Sequence, residues 1–98
     1  MEPKLGQVVI SVAGRDRGRS YIIIEILDDN TVAVADGVYR QVSKPKRKNL
    51  RHLMMTRTVD NFLSEKLLLG VDITNEEVCE ALEIRNKAEL ERTDCSHG

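Results

Sequence analysis

The chain has 98 residues, 41% of them hydrophobic and 32% charged, with a formal net charge of −1. That length accommodates one small domain, and no apolar run approaches the roughly 18 residues that a membrane-spanning helix requires. The near-neutral total hides two opposed halves: residues 1–53 carry ten basic and six acidic side chains, residues 54–98 five and ten. Asymmetry of this kind points to a polyanion partner on the basic side. The N-terminal Met1-Glu2-Pro3-Lys4 has no apolar signal region, so a cytoplasmic protein is expected.

Gln7 to Val12 alternates with period two, placing Val8, Ile10 and Val12 on one face of a first strand. Ala13 to Arg19 follows as a loop in which Gly14 and Gly18 bracket Arg15, Asp16 and Arg17. The glycines permit positive φ and leave amides uncovered for a phosphate. A solvated hairpin loop that merely favours charge is the competing explanation. Tyr21 to Leu27 is a β-branched second strand with Glu25 to solvent and Ile22, Ile24 and Ile26 inside. Asp28-Asp29-Asn30 is a turn and Thr31 to Ala35 a third strand. Asp36-Gly37 suits a type I′ hairpin turn into a fourth strand, Val38 to Val42. The second basic segment, Lys44 to His52, reads as a loop, with Pro45 unable to donate to a sheet. Its five cations repel one another unless a counter-charge is supplied. A further short strand is expected near Leu50 to Met55. Four or five short strands in about 50 residues suggest a compact SH3-like barrel.

The second half changes period. Val59, Phe62, Leu63, Lys66 and Leu67 recur at helical spacing, with Thr58 as N-cap and Gly70 as C-terminal stop. Thr74-Asn75-Glu76-Glu77 fits a capping box ahead of the apolar positions Val78, Ala81 and Leu82. Asn86 to Glu89 restarts or continues that helix. Phe62, Leu63, Leu67, Val78 and Leu82 then form a helical hairpin packed on itself or on the barrel; a protein-docking surface is the sharper alternative. The acidic half is expected to face away from any polyanion, and residues 94–98 to be disordered.

No catalytic constellation is present, so the chain is not expected to be an enzyme. The loop from Gly14 to Gly18 lacks the ending of a P-loop. Cys79 fits a helical core stripe, and Cys95 with His97 lacks the four-ligand spacing of a zinc site; no metal or cofactor is implied. Aromatics are scarce, with only Tyr21, Tyr39 and Phe62, and Phe62 is assigned to a helix core. Single-stranded binders stack bases on aromatic platforms. This composition instead suits recognition of the backbone and shape of folded RNA.

Gly6-Gln7-Val8-Val9-Ile10-Ser11-Val12-Ala13-Gly14-Arg15-Asp16-Arg17-Gly18-Arg19, running into Tyr21-Ile22-Ile23-Ile24, resembles a KOW motif. Val34-Ala35-Asp36-Gly37, then Arg40, Val42 and Lys44 to Leu53, extends the resemblance. It is to archaeal and eukaryotic-type large-subunit ribosomal proteins with an N-terminal KOW barrel and to their small bacterial relatives. The likeness covers roughly residues 5–55. It implies an SH3-like barrel. With the helical periods that follow, the chain reads as a mostly β fold with C-terminal α: a barrel over residues 1–55, an acidic helical appendage over 56–93, which departs from the basic character of such ribosomal proteins, and a tail over 94–98. The resemblance further implies a protein that grips structured RNA, ribosomal RNA above all, through two basic loops; a monomer is expected. Carried over by position, the RNA contacts are Gly14, Arg15, Arg17, Gly18 and Arg19 in the first loop. In the second they are Lys44, Lys46, Arg47, Lys48, Asn49, Arg51 and His52. Asp16 interrupts the cations and is expected either to pair with a neighbouring arginine or to face solvent. The competing function is an adaptor whose barrel docks on a transcription or translation complex; a ribosomal or transcription-complex protein is a further partner expected at the helices.

Overall fold

A computed structural model of the chain describes residues 2–82; the expected helix restart at Asn86 to Glu89, the 94–98 tail, Cys95 and His97 lie outside them. Five strands form one antiparallel sheet in the order β4-β3-β2-β1-β5. They are β1 (Gln7–Ser11), β2 (Ser20–Ile26), β3 (Thr31–Ala35), β4 (Lys46–Asn49) and β5 (Leu53–Val59). A single 3₁₀ turn, Leu50–His52, joins β4 to β5. Helix α1 (Asn61–Leu68) follows, and α2 begins at residue 75 and is described through residue 82. This is a small SH3-like barrel with C-terminal helices.

Both faces of the sheet are covered, by two separate apolar clusters. Val9, Tyr21, Ile23, Val32, Val34 and Leu53 fill the barrel interior. Val8 and Ile22 turn the other way and pack with Leu63, Ile73, Val78 and Leu82 of the helical segment. A strand buried on both faces reads as a continuous apolar run, as Ile22-Ile23-Ile24 does. A bulge in β2 between Ile23 and Glu25 breaks the expected alternation. Ile22 and Ile23 are fully buried on opposite faces, Ile24 is partly buried against the helices, and Ile26 is exposed. In β1 likewise, Val8 and Val9 are both buried, as are Gln7 and Ser11, while Val12 is exposed.

The expected fourth strand over Val38 to Val42 is a loop. The Asp36 carboxylate accepts from the backbone amides of Val38 at 2.9 Å and Arg40 at 2.8 Å, which removes them from any ladder. Positive φ occurs at Gly37 but at no non-glycine residue among those described, so Asp36-Gly37 is not a type I′ turn. The ladder partner of β3 is instead the basic segment itself, with Val32 opposite Lys48 and Val34 opposite Lys46.

The helix caps differ by two positions from expectation at one end and agree elsewhere. Thr58 and Val59 remain in β5, where Val59 pairs with Gln7, and Asp60 is the N-cap, its side chain accepting from the Leu63 amide. Gly70 takes φ +75°; its amide donates to Leu67 and that of Val71 to Lys66, the bonding pattern of a Schellman stop. Thr74 and Glu77 make the reciprocal capping box, at 2.9 and 3.1 Å. Phe62 is exposed rather than core, and Leu63 holds the buried position of α1.

Candidate RNA-binding interface

The β1–β2 loop closes on itself through its backbone. The Gly18 amide donates to the Ser11 carbonyl at 2.7 Å and the Arg19 amide to the Asp16 carbonyl at 3.0 Å. The Gly18 amide is therefore committed inside the loop and is not open to a phosphate. Gly14 and Gly18 adopt φ of +83° and +91°, which explains both glycines by backbone conformation. Arg15, Arg17 and Arg19 are exposed on either side of Asp16, which is buried.

Asp16 neither pairs with a neighbouring arginine nor faces solvent. Its carboxylate accepts from Ser11 at 2.9 Å, Tyr21 at 2.8 Å, Lys46 at 3.0 Å and Lys48 at 3.0 Å. Three strands thus converge on one loop residue. Burial alone would push this carboxyl up; the hydrogen bonds donated by Tyr21, Lys46, Lys48 and Ser11 outweigh it and hold the group well below the usual carboxylate range. Burial and the adjoining Asp16 carboxylate push the Tyr21 hydroxyl up to about 12.

The second basic segment is split by its strand geometry. Lys46 and Lys48 share one face of β4 and Arg47 the other. Lys48 is only 7% exposed, and its ammonium also reaches the Ser11 hydroxyl at 3.1 Å and the Ala13 carbonyl at 3.3 Å. It ties edge strand β4 to the far end of β1 and is not presented to an approaching RNA. Asp16 is the counter-charge that the cation run requires. Lys44, Arg47, Arg51 and His52 are exposed. Asn49 is half-buried and its side chain accepts from the Arg51 amide at 2.9 Å, capping the 3₁₀ turn. The Val12 amide donates to the His52 carbonyl at 2.9 Å, which sets that turn beside the start of the first loop. The Asp16 bonds and this backbone bond bring two segments about 30 residues apart onto one end of the barrel.

Two residues at this end carried no expectation of RNA contact, Tyr39 and Arg40. With Arg15, Arg19 and Lys46 they line a notch of about 370 Å³ next to the Asp16–Tyr21 pair. Their assignment to a strand concealed them; the signal available was the Asp-Gly turn ahead of them. The acidic half is not remote from this region. Cys79 and Leu82 of α2 line a neighbouring cavity of about 350 Å³ with Gly18, Arg19 and Tyr39. Among the described residues no group of three or more His, Cys, Asp or Glu side chains is arranged to hold a metal ion, and no helix is long and apolar enough to cross a membrane.

No family model matches the chain. Curated proteins do. The large ribosomal subunit protein eL14 of Hyperthermus butylicus is 31% identical over 80 residues, covering 82% of this chain and 74% of that protein. Its counterpart in Pyrobaculum calidifontis is 29% identical over 79 residues, 81% of this chain and 70% of the relative. That of Desulfurococcus amylolyticus is 36% identical over 53 residues, 54% and 55% of the two chains.

Proposed function

This chain belongs to the family of the large ribosomal subunit protein eL14, and on that premise we propose that it associates with the ribosome by binding structured ribosomal RNA through one basic end of its barrel. The observation that carries the proposal is the Asp16 clasp. It accepts from Lys46 and Lys48 and so fixes the arginine loop and the lysine strand side by side, leaving Arg15, Arg17, Arg19, Lys44, Arg47 and Arg51 exposed. Cations spaced over a rigid surface suit phosphates, which position a protein on RNA without reading bases. Gly14 and Gly18 act by shaping the loop, Asn49 by capping the turn, and Lys48 by holding the barrel closed. His52 adds an exposed donor beside Arg51.

The test is a filter-binding titration on ribosomal RNA fragments across a range of salt. If roughly five phosphates are engaged, log K falls with a slope of about −4 against log salt. Absence of measurable affinity at low salt rejects the proposal and favours the adaptor. That second reading has its own observation: Phe62, Leu68, Leu69 and Val71 are exposed apolar side chains around α1, a surface suited to a ribosomal protein neighbour.

A further inference from the structure

Arg19 and Tyr39 form a stacked pair at the basic end of the barrel. The guanidinium carbon of Arg19 lies 3.9 Å from the Tyr39 ring centroid, yet Tyr39 remains 69% exposed. The loop that presents it is pinned. Asp36 accepts from the Val38 and Arg40 amides, and the Val42 amide donates to the Asn75 side chain of α2 at 2.7 Å. Gly37 stands so close to α2 that a Cβ there would collide with the Asn75 carbonyl and the Cys79 sulfur. An aromatic ring held on a stiffened loop loses little freedom on binding. The adjoining notch adds Arg15, Arg40 and Lys46.

A flat guanidinium–aromatic platform beside a cluster of cations matches an unstacked nucleotide, which offers a base face and a phosphate together. Paired RNA offers the phosphates alone. We propose that this notch receives one unpaired nucleotide of the bound RNA. Its base stacks on the Arg19–Tyr39 pair, and Arg15, Arg40 and Lys46 hold its phosphate. This rests on the RNA-binding function proposed above and adds to it a preference for an interrupted helix.

The experiment compares two RNA hairpins, identical except that one carries a single bulged adenosine. The full chain is expected to bind the bulged hairpin about tenfold more tightly, the scale of one base–aromatic stack. Tyr39→Leu is expected to lose that preference while binding the paired hairpin as before, because the base loses its aromatic face. Arg19→Lys is expected to lose the preference as well, because lysine keeps the charge without the planar face. Tyr39→Phe is expected to keep it. Circular dichroism of each variant establishes that it is folded. Equal binding of both hairpins by the unaltered chain, or a preference that survives Tyr39→Leu, overturns the notch assignment and leaves RNA binding intact. Saturable binding of free adenosine monophosphate without a bulge preference also overturns it, in favour of a free nucleotide. Failure to bind either hairpin removes the RNA function and this inference with it.

Discussion

Asp16 shows how one buried side chain can hold a loop and a distant strand side by side. Its carboxylate is satisfied by four donors, and none of the buried side-chain nitrogen or oxygen atoms among the described residues lacks a partner. Removing the charge leaves the Lys48 ammonium buried without a counter-ion, so Asp16→Asn is expected to cost about 3 kcal/mol in a denaturant melt. Replacing Lys48 by Met in the same chain should recover part of that loss, because the uncompensated charge goes with it. The pH dependence has a fixed sign. The folded-state pKa of Asp16 is depressed below its ordinary value of 3.8, so its stabilisation is complete above about pH 4 and declines as the pH falls further. Thermal melts between about pH 4 and pH 2 should steepen this loss in the unaltered chain relative to Asp16→Asn.

At the scale of elements, the arginine loop and β4 divide the work. Replacing Arg15 and Arg17 by Ala is expected to leave stability within about 0.5 kcal/mol, since both are exposed. Each lost phosphate contact should reduce the salt slope by about one, read in the same filter-binding titration. Gly18→Val acts differently. Nothing lies within 4 Å of a Cβ at this position, but φ is +91°, so the variant must reshape the loop and lose affinity at unchanged charge. β4 escapes sequence pattern for a physical reason. Lys46-Arg47-Lys48-Asn49 has no apolar residue to mark its inward face; the methylene stem of Lys48 serves there, with its ammonium clasped by Asp16. The loop in place of the expected strand at Val38 to Val42 comes from the Asp36 side chain, whose competition for two amides no periodicity reveals.

For the whole molecule, the helices are part of the core. Ile73, Val78 and Leu82 bury Val8 and Ile22 of the sheet, and Lys66 on α1 bonds Glu77 on α2 at 2.6 Å. Leu63→Ala should cost about 2–5 kcal/mol, the range for a buried leucine, measured by denaturant unfolding. Deleting residues 72–98 removes three members of that cluster. The truncated chain is expected to lose cooperative thermal unfolding, followed by circular dichroism, because a barrel of this size has little other core. A truncation that still melts cooperatively would show that the helical cluster is dispensable.

The sequence by itself determined β1, β2 and β3, the start of β5, the Gly70 stop, the Thr74–Glu77 capping box and the two basic segments, because turn chemistry and apolar period are local. The KOW resemblance rests on the same local motifs, and the eL14 relatives agree with it. Tertiary structure alone decided which cations face solvent. Lys46 and Lys48 lie about 30 residues from Asp16, and their pairing with it depends on how a curled sheet brings its edge strand over the end of β1. It also decided that Tyr39 leaves the sheet and meets Arg19, since the stack exists only when two loops and α2 are assembled. Charge count is a property of the chain; whether a charge reaches a partner or is consumed inside depends on which face of a strand it occupies.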